Sequence, residues 1–478
     1  MKLRAALGTG LLVTGLMSIT AFTQQTPLSA EDRQLARDVF KELIEINTTD
    51  SVGNTTLAAE AMRKRLLAAG FAPEDLKVLG PNPRKGNLVA RYRGKPGSTL
   101  KPVLIIAHID VVEAKREDWT TDPFVFTEKE GFFYGRGTQD MKDSDAAAVM
   151  SFIRMKREGF VPDRDIILAL TADEEGGSSN GVDWLLKNHR DLVDAGFALN
   201  PDSGGLNTLK GKPQSLEVEA TEKLYADFHL TTTNSGGHSS LPTKDNAIYH
   251  VAGALLKVQQ YQFPMELNTV TRGYFEAMSQ IEHGQVAADM RGVLLSPPNR
   301  AAVERLSENP RYNSTLRTTC VATMLQAGHA PNALPQKAQA NVNCRIFPGH
   351  TPREVRIQLE AVIADPKVEV KLIDGLASDS NENEVSITPP PLNKEIFDAL
   401  HAVVERTWPG LPIVPEMETG ASDSKITMAA GIPSYGFSAM GGDADDVRAH
   451  GRDERRGVES YYAGVQFYYQ FLKQLTGK

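Results

Sequence analysis

The sequence predicts an α/β protein, a helix-covered mixed sheet interrupted by a smaller inserted α+β domain, and three observations carry that prediction. Short apolar runs alternate with helical stretches, as expected of strands buried on both faces. Polar and acidic residues cluster just past the C-terminal ends of those runs, the edge where open α/β sheets build their sites. Near residue 212 the texture changes to alternating apolar and polar positions. A chain of 478 residues exceeds one ordinary core, and 41% hydrophobic against 23% charged residues is a globular balance, not a disordered or fibrous one. Residues 31–211 and 388–478 are assigned to the larger domain and 212–387 to the insertion.

Residues 1–22 read as a signal peptide: Lys2 and Arg4 precede an apolar run from Ala5 to Ala21, followed by Thr23, Gln24 and Gln25. Gly8, Gly10 and Gly15, and a run below the ~20 residues needed to span a bilayer, favour cleavage over anchoring. An exported protein is expected, periplasmic or secreted, with no stable membrane span after cleavage. Asp32 to Ile46 and Thr55 to Ala69 carry apolar residues at helical spacing. Strands are expected at 87–92, 103–107, 166–172 and 197–200, with helices at 145–156 and 182–188.

Within the insertion, the alternating 216–231 stretch and the runs 318–325 and 340–347 read as strands, and 247–259 and 353–363 as helices. Polar residues 378–384, then Pro389, Pro390 and Pro391, mark its exit. Hinges near 210–214 and 386–391 would let the two parts close. Segments 394–406, 434–437 and 457–475 complete the larger domain. Cys320 and Cys344 fall in two of the inserted strands; an oxidising compartment permits a disulfide, and spacing alone leaves the pairing open. With a net charge of -8 and no basic stripe interleaved with aromatics, nucleic acid is excluded as a partner.

His108 ends an apolar run, and Asp110 would share its face in extended chain, where the carboxylate can orient the imidazole. Asp140 follows the Gly135 to Gly137 turn ahead of a helix, where an N-cap role competes with a ligand role. Asp173, Glu174 and Glu175 follow a buried run directly and precede Gly176 and Gly177. Of two adjacent glutamates there, one can ligate a metal while the other takes a proton from water. Asp202 and His450 complete a set of hard-oxygen and imidazole donors suited to zinc or another divalent first-row ion.

Five stretches together resemble the M20 family of metallopeptidases and deacylases: Ala-His-Ile-Asp at 107–110, Gly-Arg-Gly-Thr-Gln-Asp-Met-Lys at 135–142, Asp-Glu-Glu-Gly-Gly at 173–177, Asn-Pro-Asp at 200–202 and Ala-His-Gly-Arg-Asp-Glu at 449–454. The resemblance implies two divalent ions, zinc first and manganese or cobalt as alternatives. Asp140 would bridge them, His108 and Asp202 would complete one site, and Glu175 and His450 the other. Glu174 would take the proton from the bridging water and pass it to the leaving nitrogen. His238 would support the developing oxyanion, often across a dimer contact, and Asn332 and Arg345 would bind the substrate's free carboxylate.

The Gly420 to Lys425 loop, with Asp423, matches the family's glycine-rich substrate loop, although Lys425 stands where Arg is frequent. Asp143 stands where Gly is commoner, and Asp202 where many relatives have Glu. The implied activity is that of a carboxypeptidase or dipeptidase releasing an amino acid from a small peptide. An N-acyl amino acid deacylase with the same site is the enzymatic alternative, and a catalytically silent peptide- or metal-binding protein is the alternative of another class. The inserted lid or dimerisation domain has a strand edge that permits a homodimer.

Overall fold

The apolar runs near 103, 166 and 197 pair side by side in parallel, as strands Val103–His108, Ile166–Thr171 and Phe197–Asn200. All their residues are buried, because helices cover both faces of the sheet. The computed structural model, which describes residues 28–375, 386–443 and 445–477, extends them into a ten-stranded mixed sheet. Its order is Leu76–Leu79, Asn87–Tyr92, Ile166–Thr171, Val103–His108, Phe197–Asn200, Ser434–Gly436, Lys212–Glu222, Gly205–Leu209 and Gly442–Asp443. Ile413–Glu418 joins in parallel to Lys212–Glu222. Helices Ala30–Glu45, Lys142–Arg157 and Val458–Thr476 pack on one face and Gly181–Asn188 on the other. The segments expected to be a signal peptide, 1–22, and a domain exit, 378–384, lie outside the described residues.

The alternating 216–231 stretch divides at Lys223 between two sheets. Lys212–Glu222 belongs to the large one, whereas Leu224–Thr233 lies in an antiparallel four-stranded sheet ordered Thr319–Ala327, Lys337–Ile346, Leu224–Thr233, Glu369–Gly375. The chain thus leaves the large sheet at Lys223 rather than at 212, and the 210–214 hinge expected from sequence runs into the start of a paired strand. Period-2 alternation identifies a strand but not the sheet that receives it. Helices Ala247–Gln260 and Pro352–Ile363 cover one face of the smaller sheet over a core that includes Phe228, Val342 and Leu359. Cys320 and Cys344 oppose one another across its paired strands and are joined by a disulfide.

Four helices in the insertion have no counterpart in the sequence-based expectation: Thr269–Ile281, Gly284–Val293, Arg300–Ser307 and Pro310–Leu316. By sequence they sit between two elements of the smaller sheet's unit, yet they pack on the large sheet. Tyr274, Phe275, Met290, Val293 and Leu316 share a core with Val414, and a Cβ at Gly273 would come within 2.9 Å of Pro415. Arg311 donates to Glu217 at 3.0 Å and to Glu416 at 3.1 Å, tying the block to both adjoining strands. Their starts were legible, since Asn268, Asn299 and Asn309 each cap a helix through the side-chain oxygen.

Candidate active site

His108 is the last residue of its strand and is buried. Its Nδ1 lies 3.1 Å from the Asp110 carbonyl oxygen, to which it donates, so Nε2 is left with its lone pair. Nε2 faces Asp140 Oδ1 at 3.1 Å and Asp202 Oδ1 at 3.6 Å. Asp140 Oδ2 is 3.0 Å from His450 Nε2, which also lies 2.9 Å from Glu175 Oε1. One carboxylate therefore stands between two imidazoles, with Asp202 on one side and Glu175 on the other. Donor atoms of His108, Asp140 and Glu175, and separately of His108, Glu174 and Asp202, lie within 4.8 Å of one another.

Hydrogen bonds from backbone groups hold this cluster. Asp110 receives Glu174 N–H at 3.2 Å on Oδ1 and Glu175 N–H at 3.0 Å on Oδ2. Sequence reasoning expected that carboxylate against the imidazole, but its Oδ1 is 3.8 Å from His108 Nδ1. Two otherwise unpaired N–H groups of the acidic turn claim the carboxylate, and the Asp110 carbonyl orients the imidazole in its place. Burial pushes the Asp110 carboxyl up to about 7, against the opposing pull of His108 and the two N–H groups.

Glu454, fully buried, does the same for Asp140. It accepts N–H groups from Gly137 (3.1 Å), Gln139 (2.6 Å) and Asp140 (3.2 Å), and pairs with Arg136 at 2.6 Å. Glu454 lies in one of the stretches that resemble the M20 family, but its role is not legible there because its donors are more than 300 residues away. Asp143, the second residue of helix Lys142–Arg157, is buried, accepts Ser144 N–H at 2.6 Å and receives Arg456 Nε at 2.7 Å.

The three consecutive acids separate by direction. Asp173, at φ 59°, turns inward to pair with Lys85 and accepts Ser179 N–H at 3.2 Å. A Cβ at Gly177 (φ +105°) would collide with the Asp173 carboxylate at 2.3 Å, so the turn requires glycine there. Glu174 and Glu175 are left for the cluster. Burial, aided by Asp202, Asp423 and Glu175 and opposed by His108, holds Glu174 above the ordinary carboxylate range.

Asp423 lies beside this cluster, buried, and accepts Asn180 Nδ2 at 2.6 Å. Gly420 N–H donates to Glu418 at 2.6 Å. His238 and Asn332 are brought together elsewhere: Gly237–His238 pairs with Ala333–Leu334, and Ser239 N–H donates to the Asn332 carbonyl at 3.1 Å. Both are exposed, and His238 Nδ1 bonds Ser240 Oγ at 2.7 Å. Arg345 sits over the Tyr225 ring, 4.8 Å from its centroid. Asn332 lies in the turn entering strand Lys337–Ile346 and Arg345 is at its far end, roughly 26 Å along the strand, so one chain does not converge the two on one carboxylate.

The donor set fits divalent metal. His108 Nε2 and Asp140 Oδ1 are buried with no hydrogen-bond partner, and imidazole with carboxylate oxygen is the chemistry that first-row divalent ions select. The profile of Peptidase family M20/M25/M40 matches residues 104–474. The chain belongs to the M20 peptidase family. This M20 protein is 30% identical over 386 residues to the N-fatty-acyl-amino acid synthase/hydrolase of Xenopus tropicalis, covering 78% of this chain and 72% of that protein. It is 29% identical over 403 residues to the probable carboxypeptidase S-like 2 of Dictyostelium discoideum, covering 81% and 74%.

Among solved structures, the M20 metallo-carboxypeptidase of Sulfolobus solfataricus superposes with TM-score 0.66 at 17% identity, covering 92% of this chain and 99% of that one. A dinuclear metal-binding M20 peptidase of Bacillus subtilis superposes at 0.58 and 12% identity, covering 93% and 98%. The M20 chain is accordingly a metal-dependent amide hydrolase with a catalytic α/β unit and an inserted α+β unit.

Proposed function

We propose that this M20 hydrolase cleaves an amide whose nitrogen belongs to an amino acid with a free carboxylate, with a small peptide as the leading substrate. The observation that carries it is Glu174, a half-buried carboxylate beside His108 and Asp202 that pairs with no Lys or Arg among the described residues. Two divalent ions, zinc, manganese or cobalt, held by His108, Asp140, Glu175, Asp202 and His450, would act as Lewis acids on the carbonyl and lower the pKa of water. Glu174 takes a proton from the attacking water and delivers it to the leaving nitrogen. Cations bound beside it favour its ionised form and bring it into the range of a general base. Asp110 and Glu454 keep the ligand-bearing turns in place through their N–H bonds.

A second reading, hydrolysis of N-acyl amino acids, is favoured by the similarity to the Xenopus tropicalis enzyme. Both readings use the same residues and differ in the acyl pocket. The test is release of free amino acid from a panel of dipeptides and N-acyl amino acids, before and after chelation and metal readdition. Chelator-sensitive, metal-restored release is expected, and the preferred acyl group separates the two readings. No release with two metals bound would favour a silent binding protein.

Export and dimerisation belong to this proposal as well. Export rests on the basic residues and apolar run of the first 22 positions. A homodimer rests on strand Thr319–Ala327, which ends the smaller sheet and exposes Val321, Met324 and Leu325. A second copy paired there would bring its own His238 and Asn332 loop, which a single chain keeps a strand's length from Arg345. Sedimentation should show a dimer that Leu325→Lys dissociates.

A further inference from the structure

Buried cations in this protein have acids beside them, with a conspicuous exception. Lys85 pairs with Asp173, Arg136 with Glu454, Arg154 with Asp32, Arg164 with Asp163 and Arg456 with Asp143. Lys142, the one that bonds carbonyls instead, still has Asp145, Asp110 and Glu454 close enough to act on it. Lys223 and Arg317 are buried too, and among the described residues neither has a carboxylate within ion-pair distance. Lys223 Nζ makes one long bond, 3.4 Å, to Thr319 Oγ1. Arg317 spends Nη1 on the Phe263 carbonyl and Nη2 on Ser307, and its Nε is unpartnered.

These two cations adjoin a third. Thr319 is the cross-strand neighbour of Arg345, whose Nη1 is buried without a hydrogen-bond partner. Burying a charge without a counter-ion is costly, and three cations facing no acid form a site that an anion completes. Burial first, then Arg345 and Arg317, push the Lys223 amine down to about 7, as expected of mutual repulsion with nothing to offset it.

The place of the trio ties it to the metal ligands. Lys223 N–H donates to the Glu418 carbonyl at 3.0 Å. The preceding Glu222 accepts Ser422 N–H at 2.9 Å; Ser422 Oγ accepts Asn200 Nδ2 at 3.1 Å; and Asn200 Oδ1 accepts Asp202 N–H at 3.2 Å. A short chain of bonds thus fixes the cations relative to Asp202.

We infer that Lys223 and Arg317 are specificity-determining residues that act behind Arg345, making this corner selective for an anionic carboxylate on the amino-acid half of the substrate. This rests on the proposed function for the substrate, and on the unpaired cations for the residues. Among the described residues Arg345 has no carboxylate as counter-ion, and the two cations behind it add positive potential at its guanidinium, so its charge is available to the ligand.

The test uses metal-loaded full-length protein and the ratio of kcat/KM for N-acetyl-L-leucine to that for N-acetyl-L-leucinamide. The wild type should favour the carboxylate, and Lys223→Met should cut the ratio at least about tenfold while Lys223→Arg restores it. Equal loss on both substrates would mean a structural role and overturn the inference. Arg317→Gln serves if Lys223→Met does not fold. Independently of turnover, calorimetric binding of the same two compounds to the Glu174→Gln protein reads the preference directly. If neither compound is hydrolysed, the N-acyl reading falls while this binding preference still decides the site; no preference for the carboxylate in that titration overturns the inference.

Discussion

At the end of the large sheet, carboxylates crowd together and are held by backbone N–H groups, as Asp110 and Glu454 are. Where the chain leaves that sheet, at Lys223, the balance reverses, and Lys223, Arg317 and Arg345 have no acids among the described residues. Each region is electrostatically incomplete in the opposite sense. With metal cations completing the first and, on the inference drawn above, a substrate anion the second, a substrate would be polarised at one end and anchored at the other. The supports differ as well: short local turns fix the acids, whereas strand crossings and the helical block place the cations.

The strongest test of the acid-rich side is Glu174→Gln, which removes the proton carrier and keeps the shape. Turnover should fall about 10²–10⁴-fold with metal content, measured by atomic absorption, unchanged. Equal metal and turnover loss would mean that Glu174 is a ligand, the role its proximity to His108 and Asp202 also allows. Next in size, Glu454→Ala leaves Arg136 buried without its acid and three N–H groups without an acceptor. Stability should drop about 3–5 kcal/mol in denaturant unfolding. A smaller loss would show that the acid-rich side does not depend on that support.

On the other side, Arg311→Met cuts the tie from the helical block to Glu217 and Glu416. Arg311 is half exposed, so the expected loss is discounted to about 1–2 kcal/mol, with faster proteolysis between 261 and 317 as a second readout. No change in either would mean that the apolar core around Tyr274 holds the block unaided. The smallest effect concerns His250 in the inserted unit, whose Nδ1 lies 2.6 Å from Asp365 and Nε2 3.1 Å from Asp245. Asp365, then Asp245, raise its pKa above 6.5. Its contribution to stability is therefore complete below 6.5 and is lost as pH rises through the folded-state value. His250→Gln should flatten that part of the stability profile; an unchanged slope would assign it to another group.

Much of the site was readable because its chemistry is local. Acids and histidines at strand ends are visible as residue types after apolar runs, as with His108, Glu174, Glu175 and Asp202, whereas Asp140 and His450 stand out through the stretches that resemble the M20 family. The structure places these side chains in one cluster. Less was readable where a residue's partner is remote. Asp110 was assigned to its near neighbour His108, but the acceptor-hungry turn at 174–175 took its carboxylate. Glu454 and Lys223 carried no local pattern, and the helical block was overlooked despite its Asn caps because its Gly and Pro residues break the periodic signal.

By itself the sequence determined the central strands of both sheets, most helices, and the donor types gathered after them, because apolar periodicity and residue chemistry are properties of neighbours along the chain. Tertiary structure decided which sheet receives each strand and which acid faces which cation. It also decided that Asn332, in the turn entering strand Lys337–Ile346, and Arg345, near the far end of that strand, stand apart. Those outcomes depend on burial and on partners hundreds of residues apart, and a buried charge or N–H group takes whichever partner the packed fold brings within reach.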